Sequence, residues 1–342
     1  MAITRTEGVS LAGISTLRVG GTAREMATVG TEAELAELFR SMPEGRTWLV
    51  VGGGSNIIFP DGDFDALIIR YDASAISMTE ENADTVLLTA SAGAAWDDVV
   101  SYAVDRELSG IEALSLIPGS AGATPIQNVG AYGTEIKDVL RSVRAYDAHA
   151  KEFVSFSNEE CGFGYRDSLF KHEGKGRYVI TAITLALSRE LPDVPQYPGV
   201  AEYFAEHGIS RPSLEDIRNA IIAIRTKKLP DPKDAASVGS FFKNPFVPLA
   251  AASALKEKHP TLVVFPINET TAKLGAGSMI DALGWKGKRV GNFSFYKGNA
   301  MVIVNEGGGT KAELLGLVDR LNAELEKEYG LMLEMEPEMV GV

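Results

Sequence analysis

An α+β chain with mixed sheets is the fold class the sequence predicts, and three observations lead there. Helix-opening signals precede amphipathic stretches at several points. Runs rich in β-branched and aromatic residues stand between them. Several of those runs are separated by turns alone, which a simple βαβ alternation would not produce.

The helices come first. Thr31 and Glu34 in TEAE form a capping box opening a helix to about Met42. AWDDVVSYAVDREL places Trp96, Val99, Val100, Ala103 and Val104 on one face, the period of an amphipathic helix. SLED at Ser213 opens IRNAIIAIRTKK, and TKAE at Thr310 opens the longest helix, with Gly330 as its C-cap. Strands are expected at WLVVGG, NIIF, ALIIRY, TVLLTASAG, SVRAYDA, EFVSF, RYVITAITLAL, MVIVNE and the terminal LMLEMEPEM. ALSREL followed by PDVPQYPGV reads as an irregular connection leaving the first half, with a domain boundary near Arg225.

Length and composition bound the function. A chain of 342 residues is long for one core and suggests two or three domains. Its formal net charge of −13 argues against binding nucleic acid or an anionic membrane surface non-specifically. Cys161 is the single cysteine, which excludes an intramolecular disulfide and a cysteine-rich metal site. MAITRTEGVSLAG lacks the apolar core of a signal peptide, and runs such as VITAITLAL fall far short of the ~20 residues that span a bilayer. A cytoplasmic protein is expected.

Two glycine segments stand out. In WLVVGGGSNIIF, Gly52–Gly54 let backbone N–H groups approach a phosphate closely. A strand follows them rather than a helix, so the dinucleotide fingerprint is missing and, taken alone, the segment is expected to be a hairpin turn. NEGGGTKAELL lacks the P-loop spacing and reads as a helix N-cap. The second segment, GIEALSLIPGSAGATPIQNVGAYGTEI, is long, glycine-rich and lined by small polar residues. A loop of that length is uncommon unless functional, which favours a backbone that wraps an extended polar ligand.

With these motifs in hand, the chain resembles the UDP-N-acetylenolpyruvoylglucosamine reductase family. GGGSN and IPGSAGATPIQNVGAYG are similar to its FAD-binding half. STLRVGG, GYRDSLFK, IRTKKLPDP, GSFFKNP and EPE take the family's places over nearly the whole chain. The segment around Tyr197 resembles the type I form, which carries an extra loop over the substrate. Leu17 stands where a phenylalanine is frequent, Asn299 where a longer amide is, and no arginine follows EPE.

The resemblance implies a two-subdomain FAD-binding module of the vanillyl-alcohol-oxidase (PCMH) type, at 1–72 and 73–224. A third, α/β substrate-binding domain would span 225–330, and 331–342 would return to the flavin. FAD contacts are implied at Gly52, Gly53, Gly54, Ser55 and Asn56. In the second segment they fall at Pro118, Gly119, Gly122, Ala123, Thr124, Gln127, Asn128, Gly130, Ala131, Tyr132 and Gly133. The nucleotide sugar would meet Tyr165, Tyr197, Lys228, Asn244 and Asn299. Lys228, beside Lys227, also suits a helix end by complementing the dipole.

The family's reaction uses NADPH as co-substrate and reduces an enolpyruvyl ether to a lactyl ether. Hydride passes through the flavin to the vinyl β-carbon, charge spreads into the neighbouring carboxylate, and a proton must then reach the α-carbon. Arg166 in GYRDS is implied as the cation that holds the carboxylate, since a guanidinium fork binds one bidentately. Glu338, the second acid of EPE, is implied as its companion. Ser240 in GSFFKNP is implied as the proton donor, a role a serine fills only when held in place against a strongly basic carbon. Phe241 and Phe242 would fix that loop and exclude water.

Rival readings explain less. A serine hydrolase would want a G-x-S-x-G elbow, which does not surround Ser240. Another FAD-dependent oxidoreductase on the same scaffold explains the glycine segments but not GSFFKNP together with EPE. A non-catalytic nucleotide-sugar binder would need no flavin.

Overall fold

Alternating burial builds the first sheets. The computed structural model describes residues 3–192, 194–195, 197 and 199–341, which fall into two compact units. One unit comprises residues 1–9, 23–53 and 65–225, and the other 10–22, 54–64 and 226–342.

The first unit holds two sheets. One has the strand order Thr4–Ser10, Thr22–Val29, Asp63–Tyr71, Trp48–Val50, and its last two strands run parallel. The other is a five-stranded antiparallel sheet in the order Glu152–Ser157, Leu140–Asp147, Tyr178–Ser188, Thr85–Ser91, Ile76–Glu80. Val86, Leu88 and Ala90 are buried while their neighbours are less so, the period of two that aims one face at a core. The Glu32–Ser41 helix starts at the Thr31 hydroxyl, which accepts from the Glu34 N–H at 3.1 Å. The Trp96–Val104 helix buries the five apolar residues of its sequence stripe. Trp96 is 1% exposed and satisfies its indole N–H on the Leu114 carbonyl at 3.1 Å.

The second unit is organised around the Lys311–Tyr329 helix, capped by the Thr310 hydroxyl at its start and by Gly330 in the left-handed region at its end. Two small sheets join it. Ala236–Ser240, Val302–Asn305, Phe293–Phe295 and Arg289–Val290 form one, and Phe246–Pro248, Thr271–Leu274 and Val264–Pro266 the other. Its core gathers Leu17, Val19, Ile58, Phe241, Phe242, Trp285 and Phe293.

Two expectations need correction. Gly52–Gly54 is no hairpin: Trp48–Val50 pairs with Asp63–Tyr71, whereas Ile57–Ile58 pairs with Glu338–Met339. The glycines therefore pass the chain from one sheet to another. The terminal LMLEMEPEM is not a continuous strand. Only Glu338–Met339 is strand, joined by an isolated bridge at Met335 to Phe242. Pro337 lacks an N–H and interrupts any ladder there.

Candidate active site

Within the first unit the two glycine segments meet. A Cβ added to Gly52 would stand 2.5 Å from the Ser120 hydroxyl, and one added to Gly53 would stand 3.1 Å from the Gly119 Cα. Only glycine permits that approach. The second segment is anchored from behind. Trp96 N–H donates to the Gly119 carbonyl, Ala121 N–H to Ala94, and Gly122 N–H to Ala92, at 2.8–3.0 Å. A Cβ on Gly122 would collide with the Ala92 Cβ at 2.5 Å. Thr124 turns its hydroxyl back onto the Ala121 carbonyl at 2.7 Å. Gly130–Ala131 and Thr134–Glu135 close a short hairpin, with Tyr132 and Gly133 at its turn, both at positive φ.

Asn128 is completely buried, and its amide is spent on the protein. Its Nδ2 donates to Glu135 and to the Gly164 carbonyl at 2.9 Å each, and its Oδ1 accepts from the Lys137 N–H at 3.2 Å. It is a tie between the glycine segment and GYRDS. Ser168 makes a second tie to the Ile126 carbonyl at 2.6 Å, and Arg166 a third, donating from Nη2 to the Gly130 carbonyl at 2.7 Å. Arg166 itself holds φ at 55°, a conformation uncommon for a non-glycine residue and frequent at functional positions. The Tyr165 ring lies under its guanidinium at 5.4 Å.

Tyr132 meets Tyr197 edge-on, ring centres 4.7 Å apart. Tyr132 also hydrogen-bonds Arg225, and burial raises its phenol pKa. Arg225 was not singled out from sequence. Its Nε is buried without a hydrogen-bond partner, and burial lowers its pKa against the nearby Tyr132 and Asp97. Arg218, seven residues earlier on the same helix, clamps Asp97 with two hydrogen bonds at 2.8 and 2.9 Å. The sevenfold spacing on one helix face was the available signal.

In the second unit, Ser240 ends a bulged strand. Ser237 faces Val304 and Ser240 faces Val302, so one extra residue is inserted between them. Gly239, at φ 73°, takes up the irregularity. Bulges of this kind re-aim the following side chain. Phe241 and Phe242 beyond it are 0% and 1% exposed and pack edge-on at 5.1 Å. The C-terminal segment runs alongside: Lys243 N–H donates to the Glu334 carbonyl and Glu336 N–H to the Phe241 carbonyl, both at 2.9 Å. The Lys243 ammonium pairs with the Glu334 carboxylate. Two residues on, Glu338 N–H donates to the Asn56 carbonyl at 2.9 Å. Phe241, Lys243 and Asn56 are thus all bonded to the short segment that carries Glu338.

Three further motifs join this unit. The Arg18 guanidinium donates to the Lys233 and Pro232 carbonyls at 2.7 and 3.1 Å, and Thr16 N–H donates to the Gly54 carbonyl at 3.0 Å. Asn244 does not present a free carbonyl oxygen, because its Oδ1 accepts from the Ala276 N–H at 2.9 Å at a helix start. The Asn299 Oδ1 similarly accepts from Met301 at 3.0 Å. Lys228 is the last residue of the Leu214–Lys228 helix. Ser55, Pro118, Gln127 and Ala123 lie within the two glycine segments.

The donor set suits an anionic cofactor. Among the described residues, no protein acceptor takes the N–H groups of Gly52, Gly53 or Gly54. Unpaired amides in a glycine turn are the kind of donor that suits the diphosphate of an anionic cofactor such as FAD. The described residues contain no cluster suited to a metal ion, and no helix among them is long and apolar enough to cross a membrane.

Comparison with known proteins agrees with this division of labour. Residues 231–340 match the family model for the C-terminal domain of UDP-N-acetylenolpyruvoylglucosamine reductase, and residues 23–153 match that of a FAD binding domain. The chain is 41% identical to the UDP-N-acetylenolpyruvoylglucosamine reductase of Ralstonia nicotianae, over 95% of this chain and 96% of the relative. It is 40% identical to that of Pseudomonas aeruginosa over 99% of this chain and all of the relative. The crystal structure of the Thermus caldophilus enzyme superposes with a TM-score of 0.69 at 26% identity, covering 99% of both chains.

Proposed function

The chain belongs to the UDP-N-acetylenolpyruvoylglucosamine reductase family, and on that footing we propose that Arg166, Ser240 and Glu338 carry its chemistry. The protein is a FAD-dependent oxidoreductase that uses NADPH to reduce UDP-N-acetylglucosamine enolpyruvate to UDP-N-acetylmuramate, a step of peptidoglycan precursor synthesis. FAD, held by the two glycine segments, would supply the hydride chemistry between NADPH and the vinyl β-carbon of the substrate.

The protein's own residues then have three tasks. The Arg166 fork holds the substrate carboxylate as negative charge spreads into it. Its anchor on the Gly130 carbonyl fixes the direction of that fork. Glu338 is the companion acid beside the same charge. Ser240 delivers the proton to the α-carbon, aimed by the bulge at Gly239 and shielded by Phe241 and Phe242. The observation that carries this reading is the C-terminal segment, which hydrogen-bonds both Phe241 and Asn56.

The binding roles follow. The amides of Gly52–Gly54 take the cofactor's diphosphate, and the 118–133 segment wraps the rest. Asn128 serves by holding that segment to GYRDS. Lys228 neutralises the sugar-nucleotide diphosphate, while Tyr165 and Tyr197 flank the substrate. Asn244 and Asn299 contribute their Nδ2 groups, since each Oδ1 is engaged. Residues 1–72 and 73–224 are assigned as FAD-binding subdomains, 225–330 as the substrate-binding domain and 331–342 as the returning C-terminal segment. Nucleotide substrates place the enzyme in the cytoplasm.

Spectroscopy tests the assignment. Purified protein should be yellow, bleach with NADPH and regain colour on adding the enolpyruvyl substrate. Protein that takes up no FAD, or colour that does not return, would defeat it.

A further inference from the structure

Lys311 occupies a position that ordinary helix chemistry disfavours. It is the first residue of the Lys311–Tyr329 helix, where the macrodipole opposes a cation, and it is 7% exposed. Burial adds to the cost of the charge and lowers its pKa. Asp61 compensates in part. Its two carboxylate oxygens accept from the Lys311 and Ala312 N–H groups at 2.8 and 3.0 Å. A residue that breaks local rules in this way is expected to serve something beyond the helix.

The object it serves is visible. The Lys311 Nζ donates to the Val340 carbonyl at 2.7 Å. Val340 in turn donates its N–H to the Ile58 carbonyl at 3.0 Å, two residues after Glu338 donates to Asn56. The parallel pairing between these segments is only two residues long, Glu338 with Ile57 and Met339 with Ile58. So short a ladder has little stability of its own. A charge-assisted hydrogen bond to the next carbonyl closes its far end.

We propose that Lys311 is a positioning residue for Glu338, holding the C-terminal strand against Asn56–Ile58 from the start of the long helix. It touches neither substrate nor cofactor in this role. The inference rests on the reading that Glu338 is catalytic. Without the tether the strand end frays and the Glu338 carboxyl drifts, and a displacement near 1 Å is enough to cost roughly a hundredfold in rate.

Lys311→Met removes the donor at similar size, and Lys311→Gln keeps a shorter one. In stopped-flow measurements on the flavin-loaded enzyme, Lys311→Met should leave flavin reduction by NADPH within about twofold. It should slow reoxidation by substrate roughly tenfold to a hundredfold, with Lys311→Gln between it and wild type. Amide hydrogen exchange at residues 338–340 should quicken in Lys311→Met. In a Glu338→Gln background the Lys311→Met effect on reoxidation should vanish, because the group being positioned is gone. Equal slowing of both half-reactions, or an undiminished effect in that background, would overturn the proposal in favour of a structural role. So would failure of both single variants to fold. If Glu338→Gln alone reoxidises at the wild-type rate, the catalytic reading of Glu338 fails. If it is slow while Lys311→Met is normal, only the Lys311 inference fails.

Discussion

Glu336 donates its backbone N–H to the carbonyl oxygen of Phe241 across 2.9 Å, so the segment bearing Glu338 runs beside the residue that follows Ser240. Nearly a hundred positions separate the two in sequence. Their pairing makes the proposed proton donor and the proposed acidic stabiliser parts of one local structure, and the predictions below follow from that.

Ser240→Ala should leave flavin reduction by NADPH fast and slow reoxidation by substrate roughly 10²–10⁴-fold, the usual weight of a positioned general acid. Stopped-flow absorbance of the flavin separates the two steps. Equal slowing of both would sink the assignment.

Glu338→Gln keeps size and one hydrogen-bond donor but loses the titrating proton. Reoxidation should slow roughly tenfold or more, while flavin reduction by NADPH stays fast. An unchanged rate across the pH range would refute the role.

Gly239→Ala probes the bulge. No atom lies within 4 Å of the added Cβ, so the cost comes from φ alone. About 1 kcal/mol of stability should be lost, measurable by thermal unfolding. The reoxidation rate should fall by a larger factor than NADPH reduction, because the residue being re-aimed is Ser240.

Asp147→Asn tests acid stability. The Arg177 guanidinium beside Asp147, with the Ala150 and His149 N–H groups, pushes its carboxyl pKa down to about 2. A depressed folded-state value means the stabilisation is present above the ordinary carboxylate range and is lost as pH falls from ~4 through ~2. Arg177 is part-exposed, so the pair contributes roughly 1–2 kcal/mol. Denaturant titrations should show a smaller stability loss over that window in the variant than in wild type.

The site was legible in sequence to unequal degrees. Ser240 and Arg166 stood in recognisable motifs, and the hydroxyl N-caps at Thr31, Ser213 and Thr310 placed three helices, because caps are local chemistry. The contacts of Arg225, Asp61 and Lys311 were not legible. Each acts through a partner distant along the chain, and a lysine after Thr310 reads locally as a solvated helix residue. Asn128 stood in the glycine motif, but only the fold shows its buried amide held by Glu135, Gly164 and Lys137.

What the sequence alone determined were the features carried by short-range physics: the period of the helices and strands, their caps, and the glycines that forecast close backbone approach. Tertiary structure decided which segments those features serve. Gly52 faces Ser120, whose hydroxyl stands 2.5 Å from where a Cβ would be, and Glu338 is placed because Asn56 accepts its N–H. Hydrogen bonds and steric contacts between distant segments leave no periodic trace in the chain, so only the folded molecule reveals them.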